Sequence, residues 1–382
     1  MLNMPSRLPD VGTTIFTVMS RLAAEHGAIN LSQGFPDFSP PQRLIERVTQ
    51  HMAAGSNQYA PMAGALPLRQ AIAAKVESLY GARYDVETDI TVTAGATQAI
   101  FSAVAACVRP GDEVIAFAPV YDSYGPAVRL AGGEMRCALL CFPDYRPDWD
   151  EVRSLIGPRT RMIIINTPHN PTGTVWSAAD IAMLAELTRG TDIVVVADEV
   201  YEHMVFDGAR HESVAGHAEL RQRSYVISSF GKTYHCTGWK VAYCLAPAAL
   251  SAEFRKAHQF VVFAVNHPVQ LAIADFMTVD AAFADGLAAF YQGKRDFFTR
   301  QLVASRFRLL PCAGTYFQLA DYSAVSDLPD VEFARWLTVE HGVAAIPVSV
   351  FNPRGDDHRV VRFCFAKNDK TLFDAGERLA RL

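Results

Sequence analysis

The chain has 382 residues, half of them apolar and a fifth charged, and its 35 Lys and Arg against 40 Asp and Glu give a net charge of −5. At roughly 150 residues per domain this length predicts two domains around one cleft, and the absence of a basic stripe excludes nucleic acid as a partner. No apolar run has the length of a signal-peptide core near the N-terminus or the roughly 18 residues of a membrane helix, so we expect a cytoplasmic protein without membrane contact.

The N-terminal segment is rich in proline, with Pro5, Pro9, Pro36 and Pro40 among the first 40 residues. Proline lacks a backbone donor and interrupts regular secondary structure. Residues 1–40 are therefore predicted to form an irregular arm that joins the small domain or a partner subunit.

Residues 88–250 alternate short apolar, β-branched runs with helical patterns. This alternation is typical of βαβ units that form a mostly parallel sheet covered by helices. The runs are apolar at nearly every position, as expected for strands buried on both faces. The predicted strands are Ile90–Thr93, Glu113–Ala118, Met162–Asn166, Ile193–Ala197, Tyr225–Ser228 and Val241–Leu245.

The last third of the chain has a different pattern, in which long helices precede short strands. The predicted helices are Ala252–Phe260, Pro268–Met277, Phe283–Arg300 and Lys370–Leu382, and the predicted strands are Thr315–Leu319, Ala344–Val348 and Val360–Cys364. We therefore predict three parts: an arm with part of the small domain over residues 1–40, a large α/β domain over 41–275 and a small α+β domain over 276–382.

Four sequence features follow predicted strands, at the carboxyl edge where open parallel sheets bind ligands. The first is Thr93–Gln98, a turn of small residues between a strand and a helix. The free N–H groups of such a helix terminus bind anions, and Gly95 and Ala96 let a ligand approach the backbone closely. The segment lacks G-x-G-x-x-G and G-x-x-x-x-G-K-[ST], which argues against a nicotinamide dehydrogenase and a P-loop enzyme.

The second and third features supply polar groups to the same edge. In Asn166–Gly173, two prolines and a glycine fix a turn that directs the donor and the acceptor of Asn170 into the cleft. In Ile193–Tyr201, Asp198 ends an apolar strand and Tyr201 follows three residues later. Because a buried carboxylate is costly unless a cation meets it, Asp198 requires a cationic partner.

The fourth feature is a lysine within Tyr225–Lys240. Lys232 follows a buried strand and a Ser-Ser-Phe-Gly turn, so its amine is held near the edge of the sheet. Such an amine loses its proton more easily than a surface lysine and can form a Schiff base with a carbonyl compound. A metal site is not predicted, because no ligand spacing links Asp198 to His203 or His211 and the seven Cys include no C-x-x-C pair.

An anion-binding turn, a carboxylate for a buried cation and a Schiff-base lysine together meet the requirements of pyridoxal 5′-phosphate. With these features the chain resembles the class I and II aminotransferases over nearly its whole length, and within them the methionine and kynurenine–oxoglutarate aminotransferases. The matching segments are Asn30–Asp37, Asn57–Pro61, Asn166–Gly173, Asp198–Tyr201, Ser228–Lys232, Thr237–Lys240 and Val361–Cys364. The resemblance implies the aspartate aminotransferase-like fold type I, in which a mostly parallel sheet lies between helices, with a smaller α+β domain beside it.

The resemblance implies that the large domain binds pyridoxal 5′-phosphate. Lys232 would hold the cofactor as a Schiff base and then move a proton as general base and acid. Asp198 would pair with the protonated ring nitrogen, while Tyr201 and Asn170 would bond the phenolic oxygen. The remaining cofactor contacts implied are Gly95, Ala96, Thr97, Ser229 and Lys240 at the phosphate, Tyr59 of a neighbouring subunit at the phosphate, and Tyr121 stacked on the ring.

The resemblance also implies a site for the substrate at a subunit interface of a homodimer. Arg362 would clamp the substrate α-carboxylate with help from Asn170 and the backbone of Gly34. The implied pocket for the substrate side chain is lined by Ile15, Phe16, Tyr124 and Phe351. The implied reaction is a ping-pong transfer of the amino group from an L-amino acid with a large neutral side chain to a 2-oxo acid. Methionine is expected first among donors, with phenylalanine, tyrosine, leucine or kynurenine next.

Two other functions stay open on the same fold. A β-lyase acting on sulfur amino-acid conjugates would expel a leaving group from the β-carbon, because the same carbanion permits both outcomes. A ligand-sensing module without turnover is expected to have lost the lysine, whereas this chain keeps Lys232.

Overall fold

The computed structural model describes residues 4–382. In the N-terminal part, the elements are α1 (Ile15–Glu25), β1 (Ile29–Asn30), α2 (Gln42–Ala53) and α3 (Leu66–Tyr80). The middle part contains β2 (Ile90–Thr93), α4 (Ala96–Cys107), β3 (Glu113–Ala118), α5 (Tyr124–Leu130), β4 (Glu134–Cys141), β5 (Arg146–Pro147), α6 (Trp149–Leu155), β6 (Thr160–Asn166), α7 (Ala178–Thr188), β7 (Val194–Asp198), α8 (Ala218–Arg221), β8 (Ser224–Ser229), α9 (Phe230–Thr233) and β9 (Ala242–Leu245). The last part contains α10 (Ala248–Val261), α11 (His267–Val279), α12 (Ala282–Asp285), α13 (Leu287–Leu302), β10 (Arg308–Leu309), β11 (Phe317–Asp321), α14 (Asp330–His341), β12 (Val343–Ala344), β13 (Ile346–Pro347), β14 (Val360–Cys364) and α15 (Asp369–Leu379).

The central sheet has eight strands in the order β2-β9-β8-β7-β6-β3-β4-β5. Six of them run parallel, while β9 is antiparallel to both of its neighbours and β5 is antiparallel to β4. Strands β2, β3, β8 and β9 are buried at every position because helices cover both faces of the sheet. The predicted α/β class with a mostly parallel sheet is confirmed.

A smaller antiparallel sheet of order β10-β11-β14-β13 lies in the C-terminal part. Its core is a separate apolar cluster that includes Phe298 of α13, Leu337 of α14 and Leu372 of α15. This arrangement is the predicted α+β part of the fold. The domain boundaries at 40/41 and 275/276 stay a proposal, and the second of them falls within α11.

The prediction of an irregular N-terminal arm is wrong for residues 15–30. Helix α1 forms there because Met19 and Ala23 carry an apolar stripe at helical spacing and Thr14 caps the first turn. Strand β1 then pairs parallel with β12, which attaches this part of the arm to the small sheet's side of the molecule. Residues 1–3 of the predicted arm lie outside the described residues.

Other predicted elements are divided or were missed. The helix predicted over 283–300 is broken at Gly286 into α12 and α13. The strand predicted over 344–348 is two strands in different sheets, since β12 pairs with β1 and β13 pairs with β14. Strand β4 was missed because its partly exposed sequence, Glu134–Cys141, lacks the continuous apolar run of the inner strands.

The parallel strands bring the four sequence features to one edge. Strands β2, β6, β7 and β8 all point the same way, so the segments that follow them emerge at the same edge of the sheet. Asn166 lies opposite Asp198 in the register of β6 and β7, and Asp198 lies opposite Ile227 of β8. Within residues 4–382, no helix is both long enough and apolar enough to cross a membrane.

Candidate active site

A cavity of about 270 Å³ lies at the carboxyl edge of the central sheet. It is closed on the other side by Gly34 and Phe16 from the N-terminal part and by Phe317 and Arg362 from the small sheet. The structure thus brings most of the predicted site residues together. Those that line the cavity are Phe16, Gly34, Gly95, Ala96, Thr97, Tyr121, Asn170, Asp198, Tyr201, Ser229, Lys232, Lys240 and Arg362.

Asp198 presents one unpartnered carboxylate oxygen in this buried site. The hydroxyl of Tyr124 donates to Oδ2 at 2.6 Å, whereas Oδ1 is buried and has no partner among the described residues. Burial raises the pKa of Asp198 to about 6. A buried acceptor without a donor costs free energy, so Oδ1 is suited to a ligand that brings a cationic N–H group.

Lys232 extends into the cavity from the short helix α9. Its Nζ lies 2.8 Å from the hydroxyl oxygen of Tyr316 and 3.3 Å from the carbonyl oxygen of Gly34. Burial lowers the pKa of this amine to about 8. A larger fraction of the amine is therefore neutral and nucleophilic near neutral pH than for a surface lysine.

The N-terminus of α4 forms the anion-binding end of the cavity. Gly95 has φ of +85°, in the region that favours glycine, and a Cβ atom there would lie 2.9 Å from Nζ of Lys240. The first-turn N–H groups of Ala96 and Thr97 have no acceptor within the helix. These donors, the ammonium of Lys240 and the hydroxyl of Ser229 make this end of the cavity suitable for a phosphate group.

Arg362 lines the cavity from β14 of the small sheet and is only 1% exposed. Its guanidinium donates to Oδ1 of Asn170 at 2.7 Å and to the carbonyl of Ser32 at 3.0 Å, and it lies 3.9 Å from the ring centroid of Phe317. Its Nε has no partner among the described residues. Because burial disfavours the charged form and lowers the pKa of Arg362, an anionic ligand would stabilise this guanidinium.

Two tyrosines provide hydroxyl groups to the cavity wall. Tyr121 lies edge-on to Tyr124 with ring centroids 5.7 Å apart, and burial raises the pKa of Tyr121 to about 12. Burial also raises the pKa of Tyr201. Both phenols therefore stay protonated at neutral pH and can donate a hydrogen bond to a ligand oxygen.

Four predicted residues do not line the cavity. Tyr124, predicted as a wall of the side-chain pocket, is instead buried beneath the cavity as the partner of Asp198, and that prediction is wrong. Phe351 packs behind Phe16 with ring centroids 5.8 Å apart, and Ile15 packs against the small domain's apolar core. Tyr59 is 80% exposed, and its assignment to a neighbouring subunit's site stays a prediction.

The prediction from sequence missed Tyr316, whose hydroxyl contacts both Lys232 and the carbonyl of Gly34. The residue was read only as part of a strand, and no local pattern separates it from a core aromatic. Gln33 and Phe317 were also missed as lining residues. They reach the site only because the N-terminal part and the small sheet fold over the edge of the large sheet.

The arrangement can hold a ligand with an anionic group at one end and a protonated ring nitrogen at Asp198. The basic side chains lining the cavity are Lys232, Lys240 and Arg362, against the single acidic side chain Asp198. This excess of positive charge favours the binding of one molecule with an anionic group and of a second molecule with a carboxylate. No group of three or more His, Cys, Asp or Glu in residues 4–382 is placed to hold a metal ion.

Comparisons with known proteins gave strong matches over the whole chain. Residues 26–379 match the family described as aminotransferase class I and II. Methionine aminotransferase from Escherichia coli (strain K12) is 56% identical over 377 residues, which cover 99% of this chain and 98% of that protein. Kynurenine–oxoglutarate transaminase 1 from Homo sapiens is 33% identical, with 98% of this chain and 97% of that protein covered. The crystal structure of an Escherichia coli protein identified as having a methionine aminotransferase function superposes with a TM-score of 0.98 at 55% identity, covering 100% of both chains.

Proposed function

The chain belongs to the class I and II aminotransferases, and on that basis we propose that it uses pyridoxal 5′-phosphate to transfer the amino group of L-methionine to a 2-oxo acid. Other L-amino acids with large neutral side chains are the next donors. The resemblance and the fold type I architecture predicted from the sequence are confirmed. The observation that carries the cofactor proposal is the unpartnered, buried Oδ1 of Asp198 in the same cavity as Lys232.

The residues present fit this cofactor. An ionised carboxylate oxygen without a donor matches a protonated pyridine nitrogen, and the hydroxyl of Tyr124 fixes the orientation of the Asp198 carboxylate. Gly95, Ser229 and Lys240 surround the space for a phosphate at the other end. When bound, pyridoxal phosphate supplies an electron-withdrawing ring that accepts the electron pair left on the substrate α-carbon when a proton departs.

Lys232 moves the proton in this proposal. Its amine, whose pKa burial lowers to about 8, would accept the proton from the α-carbon of the substrate and hold it for the return transfer. An amine whose pKa lies near the working pH can both accept and donate a proton. Tyr201 and the amide Nδ2 of Asn170, whose Oδ1 accepts from Arg362, would donate to the phenolic oxygen.

Arg362 binds the α-carboxylate of the substrate. Its unpartnered Nε and its planar fork allow two parallel hydrogen bonds to a carboxylate. The rings of Phe16 and Phe317 lie 5.3 and 3.9 Å from the guanidinium carbon and exclude water from this ion pair. In the proposed arrangement Lys232 and Lys240 bind the cofactor, and Arg362 binds the α-carboxylate. No further basic side chain of this chain lines the cavity to pair with a second carboxylate on the substrate.

A second copy of the chain completes the site in this proposal. An exposed aromatic surface includes Phe260, which is 85% exposed, and Phe263, whose ring meets Tyr59 edge-on at 5.1 Å. Exposed apolar groups of this kind typically mark a protein interface. A dimer that covers them would bring Tyr59 of one subunit to the phosphate site of the other.

The donor preference can be measured directly. With an acceptor that is not the oxo acid of any donor compared, we expect kcat/KM for methionine, phenylalanine and leucine to exceed that for aspartate by at least about a hundredfold, because a side-chain carboxylate would be buried unpaired. A preference for aspartate or glutamate would contradict the proposed substrate class. A β-lyase would be favoured if the protein released pyruvate and ammonia from a cysteine conjugate, with no 2-oxo acid acceptor present, faster than it transaminates.

A further inference from the structure

Tyr316 joins three parts of the molecule at the amine of Lys232. It lies just before β11 of the small sheet, and its side chain is fully buried. Its hydroxyl donates to the carbonyl of Gly34 at 2.6 Å and lies 2.8 Å from Nζ of Lys232. The same carbonyl of Gly34 lies 3.3 Å from that Nζ, so the three groups form a closed triangle.

The hydrogen-bond directions in this triangle are determined. A phenol has one hydrogen, and the hydroxyl of Tyr316 uses it toward the carbonyl of Gly34, which can only accept. The lone pairs of the Tyr316 oxygen are therefore free to accept an N–H of Lys232. A neutral amine has two N–H groups and one lone pair. The Tyr316 hydroxyl and the Gly34 carbonyl together accept both N–H groups of Lys232.

Packing keeps the Tyr316 ring in place. Its centroid lies 5.1 Å from that of Tyr201 and 5.7 Å from that of Tyr291, with the Tyr201 pair edge-on. Gly34 approaches this segment so closely that a Cβ atom there would lie 2.9 Å from the ring of Phe317. The acceptors facing Lys232 therefore belong to a rigid surface.

We propose that Tyr316 is a positioning residue for the transamination, whose hydroxyl, together with the carbonyl of Gly34, holds both N–H groups of the free Lys232 amine so that its lone pair faces the cavity. This inference rests on the proposed function, in which Lys232 moves the proton at the substrate α-carbon. Without the Tyr316 hydroxyl the amine keeps one acceptor and rotates among several orientations. Proton transfer then slows, while the groups that bind the substrate carboxylate are unchanged.

The test compares Tyr316→Phe with the wild type. We expect kcat for methionine to fall about tenfold with KM changed less than about twofold, as for the loss of one hydrogen bond at a reacting group. A second readout uses the cofactor-free protein and does not need turnover. The rate at which it takes up pyridoxal phosphate covalently should rise with pH and have its midpoint near pH 8 in the wild type. In the variant this midpoint should move down by about one pH unit, because an acceptor that stabilises the ammonium form is lost.

Tyr291→Phe is the matched control. Tyr291 is a fully buried neighbour of Tyr316, and its hydroxyl lies 3.0 Å from Nδ1 of His235 rather than near Lys232. We expect both kcat and the uptake midpoint to stay at the wild-type values in this variant. A wild-type kcat and midpoint in Tyr316→Phe, or equal changes in both variants, would overturn the positioning role. Failure of the proposed function itself is distinguishable, because the wild-type protein would then show no transamination at all.

Discussion

Replacing Lys232 by alanine is expected to abolish transamination, with kcat reduced by at least about ten thousandfold, the upper range for loss of a general acid–base group. The physical reason is that the other lysine lining the cavity, Lys240, lies beside Gly95 at the anion-binding turn and not at this position. The fold should be retained, because the hydrogen bonds of the Lys232 amine go to the Tyr316 hydroxyl and the Gly34 carbonyl at the cavity wall and not to the apolar core.

The measurement combines activity with covalent capture. Borohydride treatment of the wild type with pyridoxal phosphate should attach the cofactor to the peptide that contains Lys232, and Lys232→Ala should carry no label there. Lys256→Ala removes an exposed lysine of α10 and is the control that keeps full activity. Wild-type turnover in Lys232→Ala, or labelling at another lysine with activity kept, would refute the assigned role.

Asp198→Asn should lower kcat/KM by about a thousandfold, the range found when a preorganised group facing developing charge is removed. Asparagine is nearly isosteric and can still accept from the Tyr124 hydroxyl, but it has no charge to pair with a protonated ring nitrogen. The loss should appear mainly in kcat. Asp192→Asn, at an exposed position just before the other end of β7, is expected to leave the activity unchanged. Activity within about threefold of the wild type in Asp198→Asn would contradict the ring-nitrogen assignment.

In the cofactor-free protein, Asp198→Asn is expected to change the pH dependence of the free energy of unfolding. Burial raises the pKa of Asp198 from 3.8 to about 6, so between these values the native state holds a proton that the unfolded state has released. The contribution of Asp198 to the free energy of unfolding therefore falls as the pH rises from about 4 to about 6. Urea unfolding at the two pH values should show a smaller decline for Asp198→Asn than for the wild type.

The sequence was sufficient for the chemistry that sits at strand ends. Buried parallel strands are continuous apolar runs, so a polar residue directly after one is conspicuous, and Asp198, Asn170 and Lys232 were found in this way. Arg362 came from the resemblance to a family. The structure brings all four to one cavity because β6, β7 and β8 are parallel neighbours and β14 lies across from their ends.

Residues that reach the site through tertiary packing could not be read from local patterns. Tyr316 precedes a short strand among other aromatics, and only the folded position of the small sheet brings its hydroxyl to Lys232. Tyr124 was assigned to the substrate pocket by analogy, whereas in the structure its hydroxyl donates a hydrogen bond to Asp198. Helix α1 was also missed, because the prolines of the arm predict irregular structure although they lie before and after the apolar stripe of Ile15–Glu25.

The most direct test of the proposed transamination is the visible absorption spectrum of the purified protein after incubation with pyridoxal phosphate. We expect a visible band that fades when L-methionine is added and returns when a 2-oxo acid is added, because each half-reaction transfers the amino group between substrate and cofactor. A protein that takes up no pyridoxal phosphate would contradict the cofactor assignment. A band that no amino acid changes would contradict the proposed transamination and favour a ligand-sensing role.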